Sequence, residues 1–339
     1  MKKIMVTGGL GFIGSHTVVE LQNKGFEVII IDDLSNSDIS VLDGITAITN
    51  NKPTFYQIDL KEKKAVQNFF KNNTIDGVIH FAALKAVGES VEQPLKYYEN
   101  NITTLIYLLQ EMQKNNVNNF IFSSSCTVYG QAEELPITEN APIKSAESPY
   151  GNTKQIGEEI LNDQTKVSDL NAIALRYFNP IGAHPTAKIG ELPIGVPQNL
   201  IPYVTQTAAG IRTQLTVFGK DYNTPDGTAI RDYIHVVDLA KAHIVAMERL
   251  LSKSNKSKME FFNIGTGKGS SVLDVINAFE NANGIKLSYT FDKRRAGDIT
   301  AAYADTSFAN QELGWKSELS LENALKDAWN WQKKVHGKK

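Results

Sequence analysis

The sequence predicts an α/β fold built on a doubly wound, parallel sheet. Three observations carry that prediction. Apolar strand patterns alternate with helix patterns through roughly the first 180 residues, as parallel strands joined by crossover helices require. The first strand, Ile4-Met5-Val6, runs into a glycine-rich turn, Thr7-Gly8-Gly9-Leu10-Gly11-Phe12-Ile13-Gly14, and a helix pattern opens behind it. The second strand, Val28-Ile29-Ile30-Ile31, ends at an acidic residue, Asp32, 18 residues past Gly14.

The turn has a chemical reading. Gly9, Gly11 and Gly14 satisfy G-x-G-x-x-G, and Gly8, Gly11 and Gly14 the looser G-x-x-G-x-x-G. Glycines allow a tight turn and let backbone N–H groups approach a pyrophosphate, and the helix behind adds its partial positive charge. An acid at the end of the second strand accepts from both ribose hydroxyls and repels a 2′-phosphate, so NAD is expected rather than NADP. The first half is therefore read as a Rossmann-type domain.

The remaining elements follow in order. A polar loop from Leu34 to Ser40 precedes a helix, and Thr54–Asp59 reads as a third strand. A short helix spans Ala65–Lys71. A fourth strand, from Asp76 through Phe81, is followed by Ala82 and Ala83, small residues where backbone can approach a cofactor. Pro94 sits in the first turn of a long helix to Lys114, a favoured place for proline, and Tyr98, Ile102, Leu105, Leu109 and Met112 share one face. Phe120–Ser125 is a fifth strand ending in hydroxyls, Tyr150–Gln164 a second long helix, and Ala172–Phe178 a sixth strand. Asp32, Asp59, Ala82, Ser125 and Phe178 all stand at expected strand ends, where parallel sheets bind ligands, so they are expected to line one crevice.

After Asn179 the prolines at 180, 185, 193, 197 and 202 break up a loop-rich stretch, read as a smaller substrate-binding region over that crevice. A helix at Val236–Leu251 and a strand at Met259–Ile264 return the chain to the sheet. Ser271 caps a helix to Ala282, and Leu321–Lys333 forms a final amphipathic helix. The expected division is a cofactor domain over 1–180, with returning segments near 233–265, and a partly interleaved substrate domain over 181–339. Gly265-Thr266-Gly267-Lys268-Gly269-Ser270 superficially suggests a phosphate loop, but Phe262 stands five before Gly267 and Gly269 follows Lys268, so it is read as a loop before a helix.

Composition bounds the partners. Among 339 residues, 35 Lys and Arg face 37 Asp and Glu, a net charge of −2, which steers the chain towards neither nucleic acid nor an anionic membrane. The lone Cys126 cannot form an internal disulfide, the N-terminus is already a strand, and no apolar run is long enough to span a bilayer, so a cytoplasmic protein is expected. His16, His80, His184, His235, His243 and His336 show no paired metal-ligand spacing, and no metal is assigned.

The second constellation is Ser125 with Tyr150-Gly151-Asn152-Thr153-Lys154. Tyrosine and lysine four apart share a helix face. Tyrosine titrates near 10, so lowering it by about 3 units needs about 4 kcal/mol of differential stabilisation. A neighbouring ammonium and a cationic nicotinamide both favour the phenolate. Tyr150 would then take a proton from a sugar hydroxyl while hydride leaves the same carbon, with Ser125 hydrogen-bonded to that oxygen.

These residues resemble those of the extended short-chain dehydrogenases/reductases. Longer blocks resemble one family within them, the UDP-glucose (UDP-galactose) 4-epimerases: His80-Phe81-Ala82-Ala83-Leu84-Lys85-Ala86-Val87-Gly88-Glu89-Ser90, Arg176-Tyr177-Phe178-Asn179-Pro180, and Arg231-Asp232-Tyr233-Ile234-His235-Val236. The resemblance covers essentially the whole chain. It implies an isomerase of galactose and nucleotide-sugar metabolism with tightly held NAD, acting through a transient 4-keto sugar. It implies cofactor contacts at Gly8, Gly11, Phe12, Ile13, Gly14, Asp32, Asp33, Leu34, Ser35, Asn36, Ser37, Asp59, Leu60, Phe81, Ala82, Ala83, Lys85, Asn100, Tyr177 and Phe178, besides Ser125, Tyr150 and Lys154. In the same way Tyr150 corresponds to the catalytic base, Lys154 to the cation that tunes it, and Ser125 to the hydroxyl partner. Asn179, Asn199, Leu200, Thr216, Phe218, Arg231, Tyr233, Arg295 and Asp298 correspond to UDP-sugar positions. Arg231 and Arg295 bring forked donors suited to a diphosphate.

Two departures sharpen the expectation. Related dehydratases carry an Asp-Glu pair where this chain has Cys126-Thr127, so dehydration is disfavoured. Aligning on Arg294-Arg295-Ala296-Gly297-Asp298 puts Ala302 where some members have a tyrosine crowding the sugar 2-position, which leaves room for an N-acetyl group and suggests UDP-GlcNAc and UDP-GalNAc as further substrates; a one-residue slip would put Tyr303 there instead. An epimerase of another nucleotide sugar, such as UDP-glucuronate, and a non-catalytic NAD-sensing protein are the alternatives. The two long helices resemble those through which the family forms homodimers.

Overall fold

The structure is a computed structural model that describes residues 1–197, 199–295 and 298–337. Ala296 and Gly297, used above to align the sugar pocket, lie outside the described residues. In chain order the first half runs β1 (Lys3–Thr7), α1 (Phe12–Asn23), β2 (Glu27–Asp32), α2 (Ser40–Thr49), β3 (Thr54–Gln57), α3 (Lys63–Asn72), β4 (Gly77–His80), α4 (Val87–Glu92), α5 (Pro94–Lys114), β5 (Asn119–Ser125), α6 (Pro149–Val167) and β6 (Asn171–Tyr177). The second half runs β7 (Asn179–Ile181), α7 (Leu200–Ala208), β8 (Leu215–Phe218), β9 (Ile230–Arg231), β10 (Tyr233–His235), α8 (Val236–Leu251), β11 (Met259–Ile264), β12 (Ser270–Ser271), α9 (Val272–Asn283), β13 (Tyr289–Asp292), β14 (Ala301–Ala302), α10 (Ser307–Glu312) and α11 (Leu321–His336).

Two compact units emerge. The first holds residues 1–130, 142–177 and 240–262. Its seven-stranded sheet has the order β11-β6-β5-β4-β1-β2-β3. The order runs outward in both directions from β1, so the sheet is doubly wound, and parallel registers such as Thr7↔Ile31, Thr7↔His80 and Ser125↔Tyr177 bring the strands' carboxyl ends to one edge. The central strands are continuous apolar runs because helices cover both faces. Met5, Ile29, Val78, Phe120 and Ala172 pack there against Leu105, Leu108 and Leu161.

Helix ends follow local chemistry. Ser148 caps α6 by accepting from the Gly151 N–H, with Pro149 in the first turn. On α5 the buried face differs from the expected one: Tyr97, Asn101, Thr104 and Leu108 are buried with Leu105, Leu109 and Met112, whereas Tyr98 and Ile102 are only half-buried. The reason is polar. Asn101 holds both backbone groups of Leu84, and Tyr97 donates to Glu89 while accepting from the Ala86 N–H.

The second unit holds residues 131–141, 178–239 and 263–339. It is built from small sheets: the parallel pairs β10-β7 and β13-β8 and the three-stranded β12-β9-β14. Ile201, Val204, Leu215, Val217, Phe279 and Leu325 form its core. Ser271 and Ser320 cap α9 and α11 with reciprocal capping boxes. Among the described residues, no helix is long and apolar enough to cross a membrane.

Candidate active site

The glycine turn after β1 is dictated by its own backbone. Gly8 has φ +66°, and a Cβ there would lie 2.8 Å from the Ala82 nitrogen. A Cβ on Gly14 would lie 2.2 Å from the Gly8 carbonyl oxygen, so α1 seats directly on the turn. Gly11 is the N-cap of α1 and supplies no capping side chain, and no acid stands in the first turn. The N–H groups of Phe12, Ile13 and Gly14 therefore have neither an intrahelical partner nor a cap, an arrangement that fits a pyrophosphate.

Asp32 ends β2 with a buried carboxylate. Its Oδ2 accepts from the Leu10 N–H at 3.0 Å, and its Oδ1 from the Leu34 N–H at 3.0 Å and the Ser37 hydroxyl at 2.6 Å. A carboxylate has about four acceptor positions, so Asp32 organises the loop behind it through three of them and offers its remaining capacity to a ribose. In that loop Leu34 takes φ +63°, Asp33 accepts from the backbone and hydroxyl of Ser35, and Asn36 is exposed. β3 is shorter than expected and stops two residues before Asp59, which accepts from the Lys61 N–H. The Leu60 side chain is buried in the core, leaving only its backbone to face a ligand.

At β4, Thr7 and His80 share a 2.8 Å hydrogen bond, and the Ala82 N–H donates to the Thr7 hydroxyl. Burial, helped by the charge of Lys154, pushes His80 down to about 3, so it is neutral. Phe81 packs on His243 with ring centroids 4.7 Å apart, and Ala83 is half-buried. Lys85 is exposed, and Asn100 donates to Asn101.

The structure brings Ser125, Tyr150 and Lys154 together. The Ser125 hydroxyl hydrogen-bonds to Tyr150. Lys154 is buried, donates to the Ser123 carbonyl at 2.6 Å, and lies 5.8 Å from the centre of the Tyr150 ring. Tyr177 hydrogen-bonds to Ser123 beside them. In the protein without NAD, burial pushes Tyr150 up to about 12, against a lowering by Ser125; the expected lowering depends on the nicotinamide cation as well as on Lys154. Burial likewise pulls Lys154 down to about 8, opposed by Glu158. Burial of both groups wins because each would carry charge away from water.

Glu158 and Arg176 are the residues that sequence reasoning missed. Glu158 accepts from the Ser124 hydroxyl at 2.5 Å and from two Arg176 nitrogens at 2.9 and 2.6 Å, all buried. Arg176 also donates to the Tyr129 hydroxyl and stacks near Phe261. Lys-x-x-x-Glu at 154 and 158 was the available signal, but it would have suggested the wrong partner.

A second cluster lies within the second unit. Asp298 accepts from Arg231 at 3.1 Å and from Arg295 at 3.2 Å, and Arg295 stacks 5.2 Å over the Phe218 ring. Tyr233 is buried and burial pushes it up to about 12, against the pull of Arg231 and Arg295. β7 pairs with β10 so that Asn179 stands opposite Tyr233, and β14 with β9 so that Ala302 stands opposite Arg231. Tyr303 packs instead beside Gly269 and Ile230. Thr216 lies on β8 two residues before Phe218. Asn199 is the N-cap of α7, exposed and donating to Glu191, with Leu200 beginning the helix. Phe178 is buried one residue past β6. Among the described residues no group of three or more His, Cys, Asp or Glu could hold a metal.

Comparison with known proteins gives a consistent result. A family model described as GDP-mannose 4,6 dehydratase matches residues 5–328. The chain is 51% identical to a UDP-glucose 4-epimerase from Bacillus subtilis (strain 168), covering 97% of this chain and 96% of the relative. The crystal structure of a UDP-glucose 4-epimerase from Stenotrophomonas maltophila with bound NAD and formylated UDP-arabinopyranose matches with a TM-score of 0.96 and 45% identity over the whole of both chains. That of the Bifidobacterium longum enzyme in complex with NAD+ and UDP matches with a TM-score of 0.94 and 47% identity over 98% of each chain.

Proposed function

The chain belongs to the UDP-glucose 4-epimerase family, and from that premise we propose that it interconverts UDP-glucose and UDP-galactose at C4 with resident NAD. The observation that carries the proposal is the grouping of Tyr150, Ser125 and buried Lys154 in the same unit as the uncapped glycine turn. Bound NAD would supply the hydride acceptor, and the return donor, for C4. The chain supplies the rest. Tyr150 takes the proton of the C4 hydroxyl and later gives it back, Ser125 hydrogen-bonds the same oxygen, and Lys154 favours the phenolate electrostatically. The first unit holds NAD through Gly8, Gly11, Phe12, Ile13, Gly14 and Asp32 with the other cofactor positions named above. The second unit holds the nucleotide sugar. Arg231, which also donates to the Ile230 carbonyl, and Arg295 share the Asp298 carboxylate and retain further donors for the diphosphate, and Phe218 packs near the uracil. A diphosphate held firmly while the sugar is held loosely lets the 4-keto sugar turn its other face. Cys126 and Thr127 bring no carboxylate, so dehydration is not proposed.

Two finer readings join this one. Ala302 stands beside Arg231 with only a methyl group, while Tyr303 packs elsewhere, and this supports turnover of UDP-GlcNAc and UDP-GalNAc as well. The exposed ends of the long helices, Leu95 on α5 and Val167 on α6, support a homodimer across these helices. A coupled assay of purified protein with no NAD added, on UDP-galactose and UDP-GalNAc in parallel, tests the reading. Product from both is expected. Product from UDP-galactose alone removes the pocket argument, and product from neither, with NAD bound, removes the substrate assignment.

A further inference from the structure

The glycine-rich stretch after β11 has no part in the function proposed above, and its donors are aimed at a group of the chain itself. Asp232 is fully buried. Its Oδ1 accepts from the Thr266 N–H at 2.8 Å and the Thr266 hydroxyl at 2.6 Å. Its Oδ2 accepts from the Gly267 N–H at 3.1 Å and the Ala304 N–H at 3.2 Å. A Cβ on Gly265 would lie 2.5 Å from that oxygen, so the loop closes on the carboxylate as a phosphate loop closes on a phosphate.

The position of Asp232 gives this seat a purpose. It is the single residue between β9 and β10, which belong to different sheets: β9 pairs with β12 and β14, and β10 with β7. Strands of two and three residues have too few ladder bonds to fix their own direction. The main chain of Asp232 adds two ties, its N–H donating to the Ala302 carbonyl at 3.0 Å and its carbonyl accepting from the Asn179 N–H at 2.9 Å. Arg231 and Tyr233 flank it. Four candidate nucleotide-sugar positions thus meet at one anchored residue.

We propose that Asp232 is a positioning residue for nucleotide-sugar binding: seated in the Thr266–Gly267 loop, its carboxylate fixes the bend that aims Arg231 and stations Tyr233, Asn179 and Ala302. This rests on the reading of those residues as the UDP-sugar site. The charged acceptor makes each bond worth more than a neutral one, and losing the Thr266 hydroxyl removes one bond to the carboxylate and lets the bend relax, while the Lys268 N–H that this hydroxyl also accepts from is exposed and turns to water.

The test uses the full-length holoenzyme with Thr266→Ala as the mild variant and Asp232→Asn as the severe one. Thr266→Ala is expected to raise KM for UDP-galactose and the Kd of UDP about tenfold, with kcat within about twofold and bound NAD unchanged. Asp232→Asn, which turns an amide against two backbone N–H groups, is expected to raise both by about a hundredfold. In an Arg231→Ala background, Thr266→Ala is expected to add less than about twofold, because the anchor acts through the arginine. A lowered kcat or NAD content at unchanged KM, or full additivity with Arg231→Ala, overturns the proposal. If the wild type binds UDP and Thr266→Ala binds it equally well, positioning alone fails. If the wild type binds no UDP, the underlying site reading falls and this proposal with it.

Discussion

Replacing Glu158 with glutamine probes the buried scaffold behind the reactive tyrosine. Glutamine keeps the shape and one oxygen but removes the charge that faces Arg176. Arg176 stays ionised without that charge, because a guanidinium does not give up its proton in a protein even when buried. It would then sit between Tyr129 and Phe261 as an uncompensated buried cation. Removing one member of a buried pair destabilises by about 3–5 kcal/mol. The first unit has about 190 residues, for which the unfolding entropy is about 0.4 kcal/mol/K, so the midpoint should fall by about 8–13 °C. Thermal unfolding followed by circular dichroism at neutral pH reads this directly. The double variant Glu158→Leu with Arg176→Met removes both charges and should recover to within about 1–2 kcal/mol of the wild type. Activity adds a second readout. Glu158 is the charge that props Lys154 up against burial, so in Glu158→Gln the lysine falls below about 8 and the alkaline limb of the rate profile moves to lower pH. A single variant that melts within about 2 °C of the wild type, or a double variant less stable than the single one, would refute the reasoning.

Tyr150→Phe should lower kcat by about 10²–10⁴ in the coupled assay while absorbance of the purified protein shows undiminished bound NAD; loss of NAD instead would make the hydroxyl a binding group. Gly14→Ala places a methyl 2.2 Å from the Gly8 oxygen and 2.9 Å from the Gly9 Cα, backbone atoms that cannot step aside, so bound NAD should be lost on purification and stability should fall by about 1–3 kcal/mol. His80 is held at about 3 by burial and, secondarily, by Lys154, against about 6.5 unfolded. A folded value below the unfolded one means the unfolded chain binds more protons. This stability is therefore present above about pH 6.5 and lost on acidification towards 3, about 2 kcal/mol by pH 5. His80→Asn should flatten that part of the curve of unfolding free energy against pH, and an unchanged slope would count against it.

Elements with a long internal period were legible. β5, α6, β6, α8 and β11 announced themselves because an apolar run or a helical stripe repeats several times along each of them. α4, with six residues, and β7, β9, β12 and β14, with two or three, have no period to read and exist because tertiary partners hold them. Burial was the other illegible quantity. The sequence placed a cation beside Tyr150 and pointed to a hydroxyl lowered by that cation and the nicotinamide together, but the opposing desolvation that holds it at about 12 without NAD arises only when the strands close around it. Pair choice is hidden for the same reason: four residues apart on one helix, Lys154 and Glu158 look like partners, yet the folded sheet delivers Arg176 and the Ser124 hydroxyl to that carboxylate first.

That choice of partners bears on the chemistry. Lys154 donates to a neutral carbonyl, so its positive charge is not cancelled where it faces Tyr150. At about 6 Å and an effective dielectric constant of about 20, such a charge is worth about 3 kcal/mol to a phenolate, or about two pKa units. Bringing Tyr150 from about 12 to about 7 needs about 7 kcal/mol. With Lys154 already in place, Tyr150 in the protein alone is a phenol. A second positive charge must stand at the site for it to act as a base near neutral pH, and an oxidised nicotinamide carries one. Base strength is then tied to the redox state of the holoenzyme: reduction of its NAD without release should raise the tyrosine's titration, read by its ultraviolet difference spectrum, by about 2 units, and an unmoved titration would leave Lys154 as the sole activator.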